Sequence, residues 1–145
     1  MSGPAAPGPV VGLDLGDVRI GVALSDPERR VAVPVGTVHV GRPPGELKAI
    51  AAIVADHDAT LVVVGEPRSL DGTEGPRVDH AHAFATSLRA ALDVEVVLHD
   101  ERLSTVEAEG RLRRAGVDGR RRRSVIDAAA ATVILQSWLD MAAKA

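Results

Sequence analysis

Aromatic side chains are almost absent from this sequence: its 145 residues include one Phe, one Trp and no Tyr. A core built without them must pack Val, Leu, Ile and Ala, and the stacking platforms on which many single-strand binders seat bases are missing. Cysteine is absent altogether, which excludes a disulfide framework, a thiolate metal site and a cysteine nucleophile, and fits a cytoplasmic protein. No stretch approaches the roughly 20 apolar residues of a membrane span, so no membrane role is expected. The five histidines are scattered. His80 and His82 diverge on a helix, so solvated or capping roles are expected rather than a histidine metal site. The opening MSGPAAPGP has neither the basic start nor the apolar stretch of a leader. Residues 1–9 are therefore expected to form a disordered tail, with residues 10–145 as one domain whose 46% hydrophobic content suits a single aliphatic core.

What is present is organised around VVGLDLGDVRIGVALSD, Val10 to Asp26, which reads as two strands joined by a turn near Gly16-Asp17. Alternation puts Val11, Leu13 and Leu15 on one face and Gly12, Asp14 and Gly16 on the other. The second strand repeats the contrast, with Ile20, Val22 and Leu24 large and Gly21, Ala23 and Ser25 small. The result is one bulky face and one nearly bare face bearing Asp14. Glycines within strands mark close approach, so the bare face reads either as a site beside Asp14 or as tight packing. A third strand follows from Val31, with Pro34 at an edge or bulge. Then come a helix over Glu46–Asp58, a buried strand over Leu61–Val64 bounded by Gly65, and a polar loop RSLDGTEGP. A helix over Arg77–Leu92 and a strand over Val94–His99 precede a short helix from Ser104 or Thr105 to about Arg114. A final helix starts at Ser124 with a capping-box pattern of Ser124 and Asp127. The order βββαβαβα with a closing helix predicts an α/β, RNase H-like fold, a mixed five-stranded sheet with helices on both faces.

Three acids stand at element ends that can converge: Asp14, Glu101 and Asp127. Carboxylates are the ligands Mg²⁺ and Mn²⁺ prefer, and two such ions roughly 3.5 to 4 Å apart clamp the attacking and leaving oxygens of a phosphodiester displacement. Taken singly, Asp127 also reads as a cap and Glu101 as half of a surface ion pair. Asp100 and Glu101 alternate in direction, so only one of them can face Asp14. Charge is uneven as well. The net charge is −3, yet seven of fifteen arginines lie between Arg111 and Arg123. Such a run reads as a solvated loop, and immediately before an acidic site also as a grip on phosphates. Arg19, Arg102, Arg120, Arg121, Arg122 and Arg123 are the expected nucleic-acid contacts.

The stretches GLDLGDVRIGVALSD at Gly12, VVVGEPRSLDGTEGP at Val62, DERLST at Asp100 and SVIDAAAATVILQSWL at Ser124 resemble, in order, the motifs of the YqgF or RuvX family. That family is described as Holliday-junction-resolvase-like proteins and pre-16S ribosomal RNA nucleases. The resemblance implies a nuclease using Mg²⁺ or Mn²⁺ held by Asp14, Glu101 and Asp127. It further implies cytoplasmic trimming of the 5′ end of the small-subunit RNA precursor, with contact to the ribosome. Glu66 stands where the family has leucine in its VGLP motif. It is either an additional ligand, as Asp100 is, or a tolerated surface-loop substitution. A four-way DNA junction is the alternative substrate, and a junction resolvase needs a symmetric dimer for which the sequence carries no signature. A non-catalytic RNA-binding assembly factor is the third reading. A sugar-kinase-like nucleotide domain, suggested by the first hairpin, would require two lobes and a second phosphate hairpin.

Overall fold

The computed structural model describes residues 6–68, 75–103 and 122–145, with backbone alone over residues 122–127. The hairpin forms as expected: β1 (Val10–Leu15) and β2 (Arg19–Ser25) pair antiparallel, with Asp14 opposite Gly21. Gly16 closes the turn by donating its N–H to the Arg19 carbonyl at 3.0 Å. A Cβ on Gly16 would lie 2.5 Å from that oxygen, which no side chain allows. β3 (Ala32–His39) continues the meander as the edge strand, and its register shifts opposite Val22 and Ala23 beside Pro34, giving the expected edge bulge.

The chain then crosses the sheet twice. It passes through α1 (Glu46–Asp56), β4 (Leu61–Glu66), α2 (Pro76–Ala91) and β5 (Glu95–Asp100), and a single 3-10 turn, Glu101–Leu103, follows β5. β4 and β5 lie parallel to β1, giving the order β3-β2-β1-β4-β5. The last helix is α3 (Arg122–Lys144). The short helix expected from Ser104 to Arg114 lies outside the described residues.

Alternation along the strands builds two cores. Val11, Leu13, Ile20, Val22, Val62 and Val64 pack under α1 and α2, against Ile50, Ala81, Ala85 and Leu88. Val10, Ala23, Ala32 and Val63 face α3 through Ala131, Ile134, Leu135 and Leu139. A Cβ on Gly12 would lie 2.7 Å from the Leu135 Cβ, so at this position the bare face serves tight helix packing. Buried Gln136 fastens α3 to the sheet edge, accepting the Ala32 N–H and donating to the Arg30 carbonyl.

Several boundaries differ from those expected. β4 continues through Gly65 and Glu66 because both pair with β5, opposite His99 and Asp100. Ser124 lies inside α3, which is already helical at Arg122, so it is not the helix cap and Asp127 falls in the second turn. Residues 7–9, expected in the tail, are tied down. Thr60 donates its N–H to the Pro9 carbonyl at 2.9 Å, and Arg29 donates to the Gly8 carbonyl while lying over the Trp138 ring.

Candidate active site

Asp14 sits near the end of β1 on the α3 side, half-buried. Glu101 follows the last residue of β5, and β4 runs between the two strands. Strands one apart are about 4.8 Å from each other, so Glu101 must reach roughly 9.5 Å to meet Asp14. It does so by passing over Gly65, where a Cβ would stand 2.8 Å from the Glu101 Oε1 and 2.8 Å from the Ile134 Cδ1. The two carboxyl groups meet in a hydrogen bond. Burial first, then the Asp14 charge and this bond, push the Glu101 carboxyl from 4.5 up to about 7; the charge of Arg77 opposes the rise. The pair therefore shares a proton up to about neutral pH.

The helix that roofs this pair descends away from it. Ala131 and Leu135 cover Gly12, Gln136 reaches Ala32, and Trp138 lies beside Arg29. The backbone position of Asp127, one turn before Ala131, is accordingly at the Asp14 end of the sheet; its side chain is outside the described residues. Among the described residues, no group of three or more His, Asp or Glu gathers to hold an ion.

The chemistry of the pair still fits a divalent cation. Two carboxylates half withdrawn from water cannot both ionise at low cost, and a hard cation relieves that repulsion with the oxygen donors it prefers.

Glu66 and Asp100 point the other way. Each lies two residues beyond a side chain of the α1/α2 core, Val64 and Leu98. Glu66 is buried in β4, not in a surface loop. One of its oxygens accepts from Arg68 Nε, and the other pairs with His82 Nε2 at 2.5 Å. Burial alone would raise its pKa, but Arg68 and His82 outweigh that and lower it. Asp100 accepts the Arg102 N–H at 2.9 Å and its guanidinium at 2.6 to 3.1 Å, which lowers its pKa. These oxygens are engaged on the face of the sheet opposite Asp14.

Among the expected phosphate contacts, Arg19 is exposed at the start of β2, and Arg102 carries Asp100. Arg120 and Arg121 lie outside the described residues, and Arg122 and Arg123 are the first two positions of α3, described by backbone only.

Residues 8–141 match the RuvX family, described as Holliday junction resolvase. The chain belongs to the RuvX family. A protein of Anaeromyxobacter dehalogenans strain 2CP-C, named as a candidate pre-16S rRNA nuclease, is 51% identical over 130 residues, covering 90% of this chain and 95% of its own. A Rhodococcus opacus strain B4 protein of the same name is 45% identical over 135 residues, covering 90% of this chain and 76% of its own. The fold matches Thermus thermophilus RuvC, solved in complex with a Holliday junction substrate, at a TM-score of 0.59 and 15% identity over 93% and 96% of the two chains. It also matches the yeast mitochondrial Holliday junction resolvase Ydc2 at 0.54 and 10%, over 99% and 82%. These likenesses establish the RNase H-like fold.

This RuvX chain also holds three features that spacing did not reveal: Gly65 as a passage, Arg77 as a charge acting on Glu101, and buried His99 against α3. Gly65 carried the same signal as Gly12, glycine beside a buried strand, but it read as a boundary. His99 was expected to be solvated or capping. It is 5% exposed.

Proposed function

We propose that the protein is a metal-dependent nuclease that hydrolyses phosphodiester bonds of the small-subunit ribosomal RNA precursor during maturation of its 5′ end, in the cytoplasm. The observation that carries this reading is the meeting of Asp14 and Glu101 across Gly65, at the end of the sheet where β1, β4 and β5 finish. Asp14, Glu101 and Asp127 would hold Mg²⁺ or Mn²⁺. Bound there, such ions would lower the pKa of water for attack and stabilise the departing oxyanion. The protein's own part begins with the shared proton. Glu101 must release it to free the carboxylate oxygens for the cation, so binding is coupled to deprotonation. Until that proton leaves, Asp14 fixes Glu101 by the hydrogen bond that joins them, and Arg77 offsets part of the negative charge that remains. Arg19, Arg102 and Arg120 to Arg123 contribute positive charge for the flanking phosphates.

The description of the family supports a second reading, in which the same chemistry cuts a four-way DNA junction. The deciding experiment gives the purified protein, with Mn²⁺, an end-labelled ribosomal RNA precursor and a four-way DNA junction side by side. Cleavage near the RNA 5′ end alone is expected. Symmetric cutting of the junction alone would replace this reading with the resolvase. RNA binding without any cutting would replace it with an assembly factor.

A further inference from the structure

We infer that Ser137 and His99 are positioning residues: together they clamp the strand end that carries Glu101 onto α3. The inference rests on the reading that Glu101 holds a cation.

Glu101 opens a 3-10 turn of three residues, too short to fix its own direction. Its neighbours on both sides are fixed by one hydroxyl. Ser137, 4% exposed on α3, donates to the Leu103 carbonyl at 2.7 Å, and His99 Nε2 lies 3.0 Å from the Ser137 Oγ. A serine hydroxyl has one proton, and Leu103 takes it. His99 must therefore be the donor, with the proton on Nε2 and Oγ as acceptor. The Ser137 hydroxyl proton and the His99 Nε2 proton are both taken up by this chain of two bonds, which ties residue 99, residue 103 and the helix together around Glu101.

The same helix surface completes the setting. Ile134, one turn before Ser137, shares with the Glu101 carboxylate the space that Gly65 leaves open. Ten residues before Ser137 on this helix is Asp127. The Ser137 hydroxyl thus sets the register between the strand bearing one expected ligand and the helix bearing another. Gln136 provides the contrast. It is equally buried on α3, but its bonds go to Ala32, Arg30 and Asp140, away from Glu101.

The test compares Ser137→Ala, Ser137→Thr, His99→Gln and Gln136→Met in the full chain, reading the melting temperature, Mn²⁺ affinity by EPR, and kcat and KM on the RNA precursor. Partners one shell out from a metal are worth about 10- to 100-fold. We expect S137A to lose at least about tenfold in both Mn²⁺ affinity and kcat with KM unchanged. S137T, which keeps the hydroxyl, and H99Q, which keeps a donor at the Nε2 position, should recover most of it. Q136M should lower the melting temperature as much and leave Mn²⁺ affinity and kcat alone. If S137A and Q136M behave alike, the clamp is only a stability element and the inference fails. A crystal structure of S137A separates this from the functional reading. A Glu101 carboxylate moved off Asp14 supports the clamp even if the wild type neither binds Mn²⁺ nor cuts RNA, whereas an unmoved Glu101 overturns it.

Discussion

Glu101 meets Asp14 because residue 65 has no side chain. Gly65→Ala would place a methyl group 2.8 Å from two atoms, both at the ends of flexible side chains. The fold can absorb this at about 1 kcal/mol, the low end of overpacking costs. The Glu101 carboxylate must move to make room, and misplacement by about 1 Å can cost about 100-fold in rate. G65A should therefore melt close to wild type and cut RNA about 100-fold more slowly, as single-turnover kinetics will show. The shared proton makes a second prediction. Glu101 titrates near 7 in the fold against 4.5 ordinarily, so the folded chain holds this proton more tightly than the unfolded one. Its stabilisation is complete below 4.5 and is lost as pH rises through about 7. Melting temperature without metal should fall between pH 5 and 8, D14N should flatten that fall, and Mn²⁺ should raise the melting temperature at pH 8 but not at pH 5. Much of this pair was legible beforehand. Alternation put Asp14 on the bare face and left one of Asp100 and Glu101 to join it, but choosing between them required knowing that Leu98 packs on the α1/α2 side, which turns Asp100 to that side and Glu101 to the other.

At the scale of elements, periodicity located the strands and helices of the described residues, including the inner face Val78, Ala81, Ala85 and Leu88 of α2. It failed at ends, where pairing decides. The apolar run stops at Val64, but backbone hydrogen bonding carries β4 on to Glu66. That extension buries a carboxylate which the family resemblance offered as an added ligand or a tolerated loop substitution. Its partners Arg68 and His82 belong to the loop base and to α2, contacts set by tertiary structure. Glu66→Gln weakens both interactions and should cost about 1.5–3 kcal/mol, the usual range for hydrogen bonds to charged groups. Urea unfolding measures this loss. Mn²⁺ affinity should not change, because the carboxylate faces the side of the sheet opposite Asp14.

The whole molecule joins a sheet end that carries acids to a chain segment rich in arginine. On the proposed function, a protein of net charge −3 with seven arginines between 111 and 123 would bind a polyanion through that segment and not through its average charge. Replacing Arg120, Arg121, Arg122 and Arg123 by Gln should weaken RNA binding at low salt. It should also flatten the log–log salt dependence by up to about 3 units, since each phosphate contact on a single strand is worth roughly 0.7. An unchanged slope would remove those residues from the phosphate contacts. Asp14→Asn decides whether the acid pair at Asp14 and Glu101 performs metal-dependent phosphodiester cleavage. With Mn²⁺ and the end-labelled RNA precursor, wild type should release the 5′ segment, while a folded D14N should bind the RNA as tightly and release none. Wild-type cutting by D14N would mean that the pair does not carry the chemistry.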